Sequence, residues 1–242
     1  MSKNIVVYWG VPMLPQLEFH SELAHKSPNY PISRHFMQKF SYLEKNDEIK
    51  TYFRCPAYSK SLQNIFGIRS HKDYYIEKIG NTYSTSDENT EELSRNLLTR
   101  GSKENFLDLR WSILLFSEED LEVDVLPAYL ENNDFHNSTN LVPGSFNISK
   151  WFRPIYPSFI LNKKRLEIKT NDVLYYLKFN TDKKIIFKNF EFTEGINKIT
   201  FSTLSYKQVQ DNTPLNKLYK LFTSRMYHKR LSKLIKENLT GY

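Results

Sequence analysis

The stretch "DVLYYLKFNTDKKIIFKNF", Asp172–Phe190, decides how the chain is read. It holds two runs of β-branched and aromatic residues, "VLYYLKF" and "KIIFKNF", on either side of the polar link Asn180-Thr181-Asp182-Lys183. Rings and branched side chains fit a pleated, half-buried surface, and Asn and Asp supply turns. The stretch therefore predicts two strands, and the shortness of the link predicts that they pair as a hairpin.

Outward from it the same signals recur. "NIVVYWG" reads as a buried strand ended by Gly10, Pro12 and Pro15. "EIKTYFRCPAY" is strand-like until Pro56, and "NIFGIRSHKDYYIEKIG" gives two more strands. After Trp111 come "WSILLF", "LEVDVLPAYL", "LVPGSFNI", "RLEIK" and "INKITFS", separated by Asn, Gly and Asp turns. In "LEVDVL" the residues Leu121, Val123 and Val125 alternate with Glu122 and Asp124, which predicts one buried and one solvated face. Thr90 as N-cap, Leu93, Leu97 and Leu98 on one side and Gly101 beyond the end predict a short helix inserted between strands. Residues 16–48 carry mixed signals. The fold class expected is mainly β: an antiparallel β-sandwich, jelly-roll-like, with a short inserted helix and a C-terminal helical tail.

"FNISKWFRPIYPSFIL", Phe146–Leu161, carries five aromatic residues and two prolines in sixteen positions. A proline donates nothing to a ladder, so Pro154 and Pro157 predict an edge or a crossing between sheets. Large rings there predict a buried wall, with Trp151 and Phe152 inside.

The formal net charge of the 242 residues is +7, and its placement is uneven. From Pro214 to Tyr242 seven Lys and Arg face one acid, Glu237, so +6 of the +7 lies there. Residues 1–213 are read as a β-sandwich-like domain and residues 214–242 as a separable, basic, amphipathic tail. Leu215, Leu218, Tyr219, Phe222 and Met226 form one apolar stripe; Leu231, Leu234, Ile235 and Leu239 form another. The stripes do not share a face of one continuous helix, so the tail is kinked near His228 or is two helices. Lys229, Arg230, Lys233 and Lys236 are the candidate contacts to a partner or an anionic surface.

Signals for chemistry are weak. Mean hydropathy is −0.57 and no apolar run is long enough to span a bilayer, so no membrane span is expected. The N-terminus lacks the pattern of a signal peptide. Cys55 is the single cysteine, which excludes an internal disulfide and reads as a small buried filler beside Arg54. The six histidines show no metal-ligand spacing, His20 and His25 lying five apart and Asp134-Phe135-His136 lacking a distal His. Glu167-x-Lys169 matches the end of a metal-dependent nuclease signature, but the nearest in-strand Asp, Asp124, lies 43 residues upstream. No phosphate loop, G-x-S-x-G or S-x-x-K motif occurs. No cofactor and no catalytic residue is called.

"IVVYWG", "YFRCPAY" with "NIFGIRS", "FNISKWFRPI" and the 172–190 segment occur in an order that resembles an uncharacterised family encoded by tailed bacteriophages, often marine ones. The resemblance spans most of residues 4–192 and leaves the tail uncovered. It implies a β-rich fold and lends no activity. With no chemistry signalled, the chain is read as a phage-encoded, non-enzymatic structural or interaction protein, expected in the host cytoplasm or the virion, with other phage or host proteins as partners. The alternative is an enzyme or small-ligand binder with its pocket between the sheets.

Overall fold

Val173–Phe179, called β14 in chain order, is buried on both faces: Tyr175 and Tyr176 are consecutive and neither is exposed. A strand covered on both sides belongs in the middle of a sheet between other layers. The structure, a computed structural model, places it so. It describes residues 4–10, 56–70, 73–80, 82–84, 97–98, 106–109, 113–200, 214–224 and 226–240.

The strands in order are β1 (Asn4–Gly10), β2 (Ile65–Arg69), β3 (Tyr74–Ile79), β4 (Thr82–Ser84), β5 (Leu97–Leu98), β6 (Phe106–Leu109), β7 (Ile113–Phe116) and β8 (Glu122–Pro127). They continue as β9 (Thr139–Val142), β10 (Gly144–Asn147), β11 (Pro154–Ile155), β12 (Ser158–Leu161), β13 (Arg165–Ile168), β14 and β15 (Lys184–Asn189). The helices are α1 (Pro56–Ser61), α2 (Asp134–Ser138), α3 (residues 194–200), α4 (Leu215–Ser224) and α5 (Tyr227–Glu237). Among the described residues four sheets form, ordered β11-β7-β1-β15, β10-β8-β14-β2, β5-β6-β12-β9 and β13-β3-β4. The fold is mainly β with a few short helices, as the periodicity predicts.

The hairpin is corrected. β14 has both edges occupied, by β8 and by β2, so β15 cannot pair with it. β15 instead pairs with β1 in parallel, Asn4 opposite Lys184, where the other ladders among the described residues are antiparallel. Asn64, at φ 56°, clamps the link between them. Its amide donates to the carbonyls of Thr181 at 2.7 Å and Lys183 at 2.9 Å, while Asn180 N–H donates to the Glu122 carbonyl at 3.0 Å. The chain thus steps from one sheet to its neighbour. Phe66, Phe179 and Phe187 meet across that step edge to face, with centroids 4.8–5.6 Å apart. The resulting core joins Val7 and Ile185 of one sheet to Val123 and Leu177 of the other, in the manner of a sandwich.

Two more expectations change. "INKIT" is helical in α3, burying Ile196 and Ile199 three residues apart. Leu97 and Leu98 pair with Leu109 and Asp108 as a strand, where the spacing predicts a helix face. The rest of that stretch, residues 16–48 and Cys55 lie outside the described residues. Pro56 opens α1, where a missing N–H costs nothing.

The C-terminal segment consists of two helices meeting at Met226, which sits in the left-handed region at φ 57° and is 61% exposed. The break lies two residues before His228, and Met226 is outside the apolar stripe assigned to it. α5 buries Leu231 and Ile235 in a second core with Tyr8 of β1, Phe116 of β7, Phe152 and Phe222. Residues 227–237 therefore pack into the β body.

Candidate functional site

The segment 146–161 is the wall that its rings predict, and its outer surface borders a cleft. Trp151 is 3% exposed and Phe152 fully buried. Pro154 and Ile155 form a two-residue edge strand against Leu114 and Ile113, after which the chain crosses to β12 in another sheet. Pro154 and Pro157, unable to extend that pairing, leave a gap where three sheets converge. The cleft there has about 200 Å³ of free volume. β10 contributes Ser145 and Phe146 to its lining, the crossing segment contributes Trp151, Arg153 and Tyr156, and α4 contributes Tyr219.

Tyr219 is the residue that sequence reasoning missed here. Its ring meets Trp151 at 6.2 Å in an edge arrangement, and its hydroxyl accepts the Asn147 N–H at 3.3 Å. The tail thus completes the cleft. A tyrosine on an amphipathic stripe carries no local sign that it closes a site 68 residues away. Trp151 Nε1 is buried in the wall with no hydrogen-bond partner among the described residues. Asn147 ends β10 as an Asx turn: its Oδ1 accepts from Ser149 N–H at 3.0 Å and Lys150 N–H at 3.1 Å. Its amide donates to Asp120, which Lys150 also reaches at 2.7 Å. Those donors hold the Asp120 carboxyl below its ordinary range, Lys150 first and Asn147 second. The end of β10 is therefore pinned by ionised, hydrogen-bonded groups.

The four tail cations stand on α5. At helical spacing Lys229, Lys233 and Lys236 share one side, with Arg230 about 100° around. Lys229 and Arg230 are exposed, and Lys233 approaches Glu237 at 3.8 Å. Lys236 is engaged with the body: it donates to Glu118 at 2.8 Å, and Ser232 donates to the same carboxylate oxygen. Burial alone raises the Glu118 pKa, but donation by Lys236 and Ser232 outweighs it and holds the carboxyl below its ordinary range. His228, against the Phe116 ring at 5.1 Å, is held below its ordinary value by burial, with Glu118 opposing. These contacts tie α5 to the end of β7.

The nuclease-like pair is not brought together. Asp124 on β8 accepts from Asn180 at 3.0 Å, whereas Glu167 lies on β13 in a different sheet, its N–H bonded to Asp134 at 2.8 Å. Among the described residues no three His, Cys, Asp or Glu side chains gather as a metal site. No helix among them is long and apolar enough to cross a membrane. Comparison with family models, with curated proteins and with solved structures finds no match for the chain.

Proposed function

We propose that the chain is a non-enzymatic interaction protein of a tailed bacteriophage, acting in the virion or on host proteins, and that the 146–158 cleft is its contact site. The observation that carries the reading is the lining. Among the described residues it combines aromatic rings, hydroxyls and the Arg153 guanidinium, and holds no carboxylate, imidazole or thiol to move a proton or attack a substrate. Rings and an arginine in a partly enclosed recess are the residue types that dominate binding hot spots. The phage setting is supported by the order of the motifs from "IVVYWG" to the 172–190 segment. A small-ligand binder is the second reading, favoured by the position of the cleft between sheets.

A photo-crosslinking amino acid placed at Val142, on the cleft mouth, tests the proposal against the same group at Ile79, which is 56% exposed on β3. A protein crosslinked in infected cells from position 142 and not from 79, with the chain detected by mass spectrometry of purified particles, is the expected result. Equal labelling from both positions, or none, contradicts it.

A further inference from the structure

We propose that the cleft takes an extended peptide of alternating apolar residues from a partner protein, which adds as a strand to the open edge of β10; this rests on the interaction reading above and names the partner's chemistry. β10 is the terminal strand of the β10-β8-β14-β2 sheet among the described residues. Its register shows which backbone groups face outward. Asn147 lies opposite Glu122, yet Asn147 N–H points to Tyr219 and the Glu122 carbonyl is taken by Asn180 at 3.0 Å. Ile148 N–H, the next along, donates back to Leu121 at 3.0 Å. Asn147 and Glu122 are therefore a non-bonded pair of the antiparallel ladder, and so, two residues on, are Ser145 and Asp124.

The N–H and C=O of Ser145 consequently point away from β8. Ser145 is exposed and lines the cleft. A donor and an acceptor on one extended residue are what a second peptide backbone matches. The open run is short. Pro143 has no N–H to offer on one side, and the Tyr219 hydroxyl occupies Asn147 on the other. Short, proline-flanked edges resist sheet-to-sheet aggregation while still admitting one guest strand.

The side-chain surroundings fit the same guest. About 200 Å³ is smaller than the roughly 300–1,000 Å³ of ordinary small-molecule pockets and suits one large side chain. Trp151, Tyr156 and Tyr219 favour an aromatic or branched anchor there. Beyond the mouth, Val142 pairs with Ser158, so Ile160 shares its face; these two are 40% and 39% exposed and offer the next apolar contact.

Selection of randomised octapeptides by display against the full chain, with affinities of the enriched peptides measured by fluorescence polarisation, tests this. Enriched peptides should alternate apolar residues and carry one large aromatic or branched anchor. Backbone N-methylation of the pairing residue should weaken them at least tenfold, and so should Ser145→Pro. That variant removes an N–H the ladder does not use, and its thermal midpoint should stay near that of the parent. If Ser145→Pro fails to fold, N-methylated peptides on the parent chain carry the same test. Peptides that are enriched and bind but ignore N-methylation overturn strand addition and leave the interaction reading intact. No enrichment, joined to no partner crosslinked from position 142, overturns both.

Discussion

Replacing Trp151 separates two roles that its position combines. Trp151→Ala deletes a ring system that is 3% exposed and leaves a void between β10, the crossing segment and Tyr219. Truncations of buried Trp cost about 3–5 kcal/mol, because the lost transfer energy and the residual cavity add. For a chain this size each kcal/mol moves the midpoint by about 2–4 °C, so a fall of roughly 10 °C is expected. Trp151→Phe keeps an aromatic face toward Tyr219 and removes the unpartnered Nε1–H. Leaving a buried donor unmade costs about 1–3 kcal/mol, which offsets the roughly 1–2 kcal/mol of apolar burial lost with the smaller ring. The Phe variant should therefore unfold within about 1 kcal/mol of the parent. Both are measured by urea unfolding followed by circular dichroism, with the slope held constant as a check on two-state behaviour. If Trp151→Ala unfolds with the parent, the wall does not exist. If Trp151→Phe is as damaging as Trp151→Ala, the indole N–H has a partner and the accounting is wrong.

Three further outcomes are expected. A Cβ on Gly10 would lie 2.6 Å from the buried Phe190 ring, whereas one on Gly144 meets nothing within 4 Å; Gly10→Ala should lose about 1–3 kcal/mol in chemical unfolding and Gly144→Ala close to nothing. His228 has a folded-state pKa below its ordinary value, so between that value and pH 6.5 the unfolded chain binds a proton that the folded chain does not. Stability is then fully present above about pH 6.5 and falls on acidification through that window; His228→Gln should flatten the midpoint between pH 7 and 5.5, and an unchanged slope would count against the buried-imidazole reading. Glu118, also depressed, adds a loss in the same direction at lower pH, where the carboxylates titrate. Deleting residues 228–242 removes Leu231 and Ile235 from the core around Phe116 and Phe152, so the truncated chain should lose its sharp thermal transition; a cooperative transition at the parent's temperature would show instead that the tail is separable.

Much of the fold is legible in the sequence because burial writes itself into period and composition. Leu121, Val123 and Val125 alternate and are inside, and Pro154 and Pro157 mark an edge and a crossing, as they must without N–H groups. The misread hairpin has a physical reason. Local signals around Asn180–Lys183 are the same whether the chain reverses within a sheet or steps between sheets. The discriminating feature is the unbroken burial of Val173–Leu177, which marks a central strand with both edges taken. The break at Met226 is legible only as a change of apolar face. The cleft is less legible still. Ser145 counts through the direction of its backbone, Arg153 and Tyr156 through a gap that two prolines leave, and Tyr219 through a helix arriving from the far end of the chain. None of these residues forms a motif with its neighbours.

The claim at the centre of the account is that contact runs through the β10 edge and the cleft rather than through the cations of α5. Hydrogen–deuterium exchange on the full chain, with and without an enriched octapeptide, measures this directly. The account predicts slowed exchange at Gly144–Phe146 and at residues 153–156, with residues 229–236 unchanged. Slowing at Lys229–Lys236 with Ser145 exchanging as before would contradict it.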